Sequence, residues 1–194
     1  MAWKLTKEHT DGPYKRNGIP YIEDDEIIGA RQELADWNSV SADIDHGHLC
    51  PAGDNKWSQD AMAQSFLLSN MSPQNRSLNT GLWERLESRT RGWAKHYGEA
   101  FVVTGPIFYT DNYATIGNNE VGIPDAFYKV ILVLGKNPKA IGFIMPNQRP
   151  EFKKIDFYAI PVDSVENVTG IDFFHKLPDD IENTIEAVAD FSKW

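Results

Sequence analysis

The chain has 194 residues, 41% hydrophobic and 12% aromatic with six tryptophans, which supports a sizeable core and excludes an intrinsically disordered protein. Its formal net charge of -9 excludes a surface that binds nucleic acid indiscriminately, because neutralising phosphates takes Lys and Arg. A single cysteine excludes an internal disulfide, and no apolar run approaches the roughly 20 residues a membrane helix needs.

In chain order, residues 1–20 are polar and punctuated by Gly12-Pro13, Gly18 and Pro20, which predicts an extended arm with turns. Residues 21–28 read as an acidic loop and 31–37 as a loop or short helical turn. Acids dominate from Glu23 to Asp45, against Arg31 alone. From Asn70 to His96 the balance reverses, with Arg76, Arg85, Arg89, Arg91 and Lys95 against Glu84 and Glu87, so an acidic protein still has room for a local basic patch.

Residues 41–49 read as a short strand entering a tight turn at Gly47, and 51–54 as a loop. Ser58 begins a helix of roughly ten residues, with Ala61, Met62, Phe66 and Leu67 at helical spacing. Residues 69–77, with Pro73 and several asparagines, read as irregular. A longer helix spans 78–96: Leu82, Leu86 and Trp93 form an apolar stripe, Asn79 or Thr80 is the N-cap, and Gly98 is the stop. Apolar, β-branched runs at 100–104, 127–134 and 140–145 predict buried strands, with a long loop at 109–122. Residues 151–160 read as strand or helix and 178–192 as helix, and the absence of repeats or linkers predicts one domain over 1–194.

Two constellations carry chemistry. In Asp45-His46-Gly47-His48, the two histidines at i, i+2 share one face of a strand, which suits metal ligation and equally suits hydrogen-bonded structural histidines. Asp45 stands where it can orient an imidazole. The second constellation is Asn70, Asn75, Asn79, Glu87, Arg89 and Arg91. Asn79 and Glu87, eight apart, share one broad side of the long helix, and an amide oxygen with a carboxylate suits Mg²⁺ that keeps several waters. The plain alternatives are an N-cap for Asn79 and a surface ion pair for Glu87–Arg91. Cys50 reads as a small buried hydrophobe rather than a nucleophile.

Taken together, Asp45-His46-Gly47-His48 with Pro51-Ala52, then Leu68 to Gln74, Leu78 to Glu87, Val103-Thr104-Gly105-Pro106, Ile123 to Ile131, and Thr169-Gly170-Ile171 with Leu177-Pro178-Asp179 resemble the DNA/RNA non-specific endonuclease family of ββα-metal nucleases. The resemblance runs from about residue 36 to 180 and rests on several motifs in the family's order. It implies an α+β fold, with a ββα-metal finger core inside a mixed, mainly antiparallel sheet flanked by helices. By that resemblance His48 is the general base, Asn79 the direct ligand of Mg²⁺ (Mn²⁺ in its place), and Glu87 the holder of metal-bound waters. Asn70 and Arg91 would support the scissile phosphate, with Asp45 behind the base and His46, Arg89, Arg76 and Arg31 toward the substrate.

Two departures stand out: His46 occupies the place of the family's arginine, and the upstream arginine that clamps phosphate is missing from 19–26, leaving Arg31, Arg16 or Lys15 as stand-ins. The resemblance further implies DNA and RNA as substrates without strong sequence specificity, no membrane, and a homodimer or a protein inhibitor as partners. It implies secretion or a periplasmic location, with the cytoplasm as the alternative. Rival readings are a phosphodiesterase on small nucleotides, a binding protein whose catalysis has decayed, and a zinc site at His46 and His48.

Overall fold

The computed structural model describes residues 1–194, Ser39 by its backbone alone. In chain order its elements are β1 (Ala2–Thr6), α1 (Lys7–Asp11), β2 (Ile44–His48), α2 (Gln59–Gln64) and β3 (Met71–Asn75). A π-helical turn over Leu78–Trp83 runs into α3 (Glu84–Tyr97). There follow β4 (Glu99–Ile107), β5 (Thr115–Ile116), β6 (Val121–Gly122), β7 (Ala126–Val133), β8 (Lys139–Pro146), β9 (Ala159–Ile160), α4 (Val162–Thr169) and α5 (Asp179–Glu186). The expected α+β architecture is the one found. Among the described residues no helix is long and apolar enough to cross a membrane.

An antiparallel sheet in the order β1-β4-β7-β8-β9 forms the middle layer. Strand alternation sends Phe127, Ile131 and Val133 of β7 to the face covered by Leu86, Trp93 and Ala94 of α3. Tyr128, Val130 and Leu132 go to the other face, under Val162 and Val165 of α4. The same alternation puts Lys129 on the α3 face, only 1% exposed inside an otherwise apolar layer.

β2 and β3 form a separate two-stranded antiparallel ladder in which His48 faces Met71, Gly47 faces Ser72 and His46 faces Pro73. Residues 69–77 were expected to be irregular, because Asn, Ser and Pro obscure the strand pattern. Pro73 is tolerated because this ladder has no third strand to ask for its missing N–H. Gly47 lies within β2 and makes no turn, which corrects the expected tight turn. Its lack of a side chain is needed for a different reason: a Cβ there would come within 2.4 Å of Gln74 Oε1 on the facing strand.

The helix entry also differs from expectation. Asn75 Oδ1 accepts from the backbone N–H groups of Ser77 (3.0 Å) and Leu78 (3.4 Å), so Asn75 caps the turn and neither Asn79 nor Thr80 does. Gly81, at φ -116 and ψ -105, kinks the π turn from within, and Gly98 at φ 92 stops α3 as predicted. The N-terminal arm is corrected too. Residues 2–11 form β1 on the sheet edge, with Leu5 wholly buried, and α1 behind it; only the segment beyond Gly12 is irregular. The predicted helix after Ser58 is shorter than expected, at six residues, and Ser58 caps it by accepting from Ala61 N.

Candidate active site

A cavity of about 500 Å³ opens where β2, the π turn, the first two turns of α3 and the 51–53 segment meet. Asp45, His46 and His48 line it from β2, Asn79 and Thr80 from the π turn, and Glu84, Glu87 and Arg91 from α3. Arg16 and Tyr21 approach from the N-terminal segment. The ladder supplies a rigid floor, and the π turn swings Asn79 onto the same wall as Glu87.

His48 is mostly enclosed, with the Phe66 ring edge-on at 5.1 Å between centroids. Its Nε2 is buried and meets no hydrogen-bond partner among the described residues. Burial first, then the positive charges of Arg16 and His46, push its pKa down to about 4, so the imidazole is neutral at pH 7. An unpaired, neutral ring nitrogen at a polar cavity is what a general base requires.

Asp45 organises the opposite wall. Its Oδ2 accepts from Asn79 Nδ2 at 3.1 Å, and its Oδ1 accepts from Arg76 Nε at 2.8 Å. Engaging the amide nitrogen of Asn79 fixes the side chain and leaves its carbonyl oxygen without a donor. That oxygen, with the carboxylates of Glu84 and Glu87 in the same cavity, makes a set of hard oxygen donors that fits Mg²⁺. Asn79, Glu84 and Glu87 are the residues that could hold such a cation.

Behind this wall lies a buried charge cluster that the sequence did not reveal. Arg91 donates to Asp54 Oδ1 at 3.0 Å, and Trp3 Nε1 donates to Asp54 Oδ2 at 3.1 Å. Gly53 lets Arg91 pass close to the backbone, since a Cβ there would sit 2.9 Å from the guanidinium. Lys129 Nζ lies over the Trp83 ring at 4.7 Å and the Trp3 ring at 5.2 Å. Burial raises Glu87 to about 7, with Lys129 the largest opposing influence. Nothing in the apolar run around Lys129 marks it as part of a site, because its role depends on pairing between distant strands.

The shifts of His48 and Glu87 have opposite consequences for stability. His48, about 4 in the fold against about 6.5 unfolded, gives stability that is present above the unfolded value and lost as pH falls toward 4. Glu87, about 7 against about 4.3, makes stability fall as pH rises between those values. In metal-free protein the two slopes largely cancel from about pH 4.3 to 6.5. Glu87→Gln is therefore expected to gain stability relative to the parent by about 1.4 kcal/mol per pH unit over that window. Urea melts in chelator at several pH values measure this, and a pH-independent difference would refute it.

His46 lies between two parallel rings, Tyr21 at 4.0 Å and Trp37 at 3.8 Å between centroids. The slot is shaped for a planar group. Among the described residues neither histidine belongs to a group of three or more His, Cys, Asp or Glu with ligand atoms close enough to share a metal, so the zinc reading gains no support.

Asn70 does not line the cavity. It is 1% exposed, its Oδ1 accepts from Cys50 N at 2.9 Å, and its Nδ2 donates to the carbonyls of Cys50 and Ser65, both at 2.8 Å. It locks the segment that follows His48 against the core. Asn70→Ala leaves three buried or half-buried backbone groups unpaired and is expected to cost about 3–5 kcal/mol, read from denaturant melts. Arg31 is held by Asp25 at 2.9 Å and Glu23 at 3.8 Å in the acidic loop, away from the cavity. Arg89 faces a second cavity on another side of α3. Arg16, named in the sequence only as a stand-in, is the cation at the cavity from the upstream segment, its guanidinium 5.6 Å over the Phe66 ring. Cys50, its thiol pushed up to about 12 by burial, is unsuited to nucleophilic work, as expected.

Residues 1–180 match the family model described as DNA/RNA non-specific endonuclease. Similar proteins include the mitochondrial nuclease EXOG of Xenopus laevis (39% identical over 69% of this chain and 41% of its own length). Bovine mitochondrial endonuclease G is 31% identical over 88% of this chain and 60% of its own, and nuclease C1 of Cunninghamella echinulata var. echinulata 40% over 76% and 62%. The chain thus spans between about two fifths and three fifths of the length of these relatives. Among solved structures, that of an EndoG/EndoGI complex superposes with a TM-score of 0.83 at 30% identity, covering 91% of this chain and 78% of that one. The expected secreted or periplasmic location is overturned by these comparisons: the EXOG, endonuclease G and yeast relatives are named mitochondrial.

Proposed function

Since the chain belongs to the DNA/RNA non-specific endonuclease family, we propose that residues 1–194 act as one catalytic domain that hydrolyses internal phosphodiester bonds of DNA and RNA. The observation that carries the reading is the unpaired, neutral His48 across one cavity from an Asn79 whose amide nitrogen is tied down by Asp45.

His48 Nε2 takes the proton of an attacking water, and enclosure by Phe66 keeps the ring in place. Asn79, through its carbonyl oxygen, and Glu87, through its carboxylate, would hold Mg²⁺, or Mn²⁺ in its place. When bound, the cation stabilises negative charge developing on the phosphate and the leaving oxygen. Arg16 holds a non-bridging phosphate oxygen from the other side, doing the work of the family's missing upstream arginine. Arg91, anchored on buried Asp54, adds a fixed positive charge behind Glu87. Phosphate-directed contacts of this kind carry no sequence information, which supports non-specific cleavage. A dedicated protein inhibitor fits the same reading, since one similar solved structure is that of EndoG inhibited in an EndoG/EndoGI complex.

The test is nicking of supercoiled plasmid and cleavage of a long RNA, with and without EDTA. Cleavage of both, lost in EDTA and restored by Mg²⁺, is expected. Rates on a bis-aryl phosphodiester that exceed those on plasmid would favour a small-molecule phosphodiesterase, and plasmid binding with no cleavage under any divalent cation would favour a decayed homologue.

A further inference from the structure

On the side of the sheet away from the cavity, α4 and α5 bring acidic side chains together. Asp163 and Glu166 lie three apart on α4, and Glu182 and Glu186 four apart on α5, so each pair shares a helix face. Ligand oxygens of Asp163, Glu166 and Glu186 all fall within 4.8 Å of one another. None of these residues forms a salt bridge among the described residues.

Crowded carboxylates alone are a common surface feature. What sets this group apart is Glu186, which is 4% exposed, points its carboxylate into the cluster, and has an Oε1 with no hydrogen-bond partner. Glu182 Oε1 is buried and unpartnered in the same way. A buried carboxylate facing only other carboxylates is unfavourable unless something positive joins it. Oxygens bound to one calcium ion, at roughly 2.3–2.6 Å from it, lie at most about 5 Å apart, which matches the spacing present. Glu166 is also held in place, since one of its oxygens accepts from Phe173 N at 2.7 Å and so ties the cluster to the core.

We propose that Asp163, Glu166 and Glu186 form a binding site for a hard divalent cation, calcium above magnesium, that staples α5 to α4. Calcium fits better because it accepts several carboxylates in flexible geometry, whereas magnesium keeps most of its waters. Without the ion, burial first and then Glu166, Glu182, Asp163 and Asp172 push Glu186 up to about 8.

The site is tested on the full chain carrying Asn79→Ala, which disables the catalytic metal position. Calcium chloride titrated into chelator-treated protein is expected to raise Tm saturably, by about 5–10 °C at a hundredfold excess over Kd, with magnesium chloride weaker at equal concentration. Calorimetry should show one calcium per chain. Adding Glu186→Gln, and separately Asp163→Asn, should remove most of the rise. Should Glu186→Gln fail to fold, Asp163→Asn decides alone, because that residue lies outside the buried core. No calcium-dependent rise, a rise unchanged in Asp163→Asn, or a Glu186→Gln protein that melts higher while calcium leaves the Asn79→Ala parent unaffected would overturn the site. The last result would leave a shared-proton carboxyl pair in its place.

Discussion

His48→Ala is expected to lower plasmid nicking by about 10³–10⁴-fold while leaving the melting temperature within a few degrees of the parent. The loss is large because the neighbouring candidates on β2 are engaged elsewhere: Asp45 is spent on Arg76 and Asn79, and His46 is clamped between rings. The fold is spared because the β2–β3 ladder runs through backbone groups that alanine retains. A pKa of about 4 looks too low for an efficient base near pH 7. Part of that depression comes from Arg16, however, and a phosphate that engages Arg16 neutralises the repulsion. Substrate binding therefore strengthens the base at the moment it is used. Parent-like nicking by the alanine variant would end this assignment.

Arg16→Ala should reduce kcat by about 10²–10³-fold, the scale of losing one preorganised donor to a developing oxyanion. Its stability cost should be small, since Arg16 is exposed on an irregular segment and forms no salt bridge among the described residues. Arg16→Lys should recover part of the rate, because charge is kept and the planar fork lost. Single-turnover kinetics on plasmid check this, with His48 followed by NMR: its pKa should rise in the alanine variant. A full-rate Arg16→Ala enzyme would return the clamp role to another cation.

The strand that carries His48 and the long helix were legible because they rest on local pattern: alternation in 44–48, helical spacing in 82–93, and a glycine stop at 98. β3 was hidden because a polar strand in a two-stranded ladder needs no apolar alternation. Asn75 and Asn79 were misassigned at the helix entry, since a π turn moves the cap back four residues and composition does not show the turn. Asn70 looked catalytic by position and is a three-bond structural clasp. Lys129 and Asp54 were invisible for the reason that buried charges usually are: their partners come from β1, β7 and α3, brought together only by the sheet.

The π turn has one more consequence, which concerns length rather than chemistry. The π turn holds one residue more than the helical turn it replaces, so removing Thr80 would let the segment close to an ordinary helix and pull Asn79 out of its place. Apart from Thr80, every group that lines the cavity would still be present in the chain, yet Asn79 would release its hold on Asp45. A one-residue deletion there should thus be as disabling as loss of the base, and a compensating insertion elsewhere in α3 would not repair it. The active site is in this sense counted as well as composed.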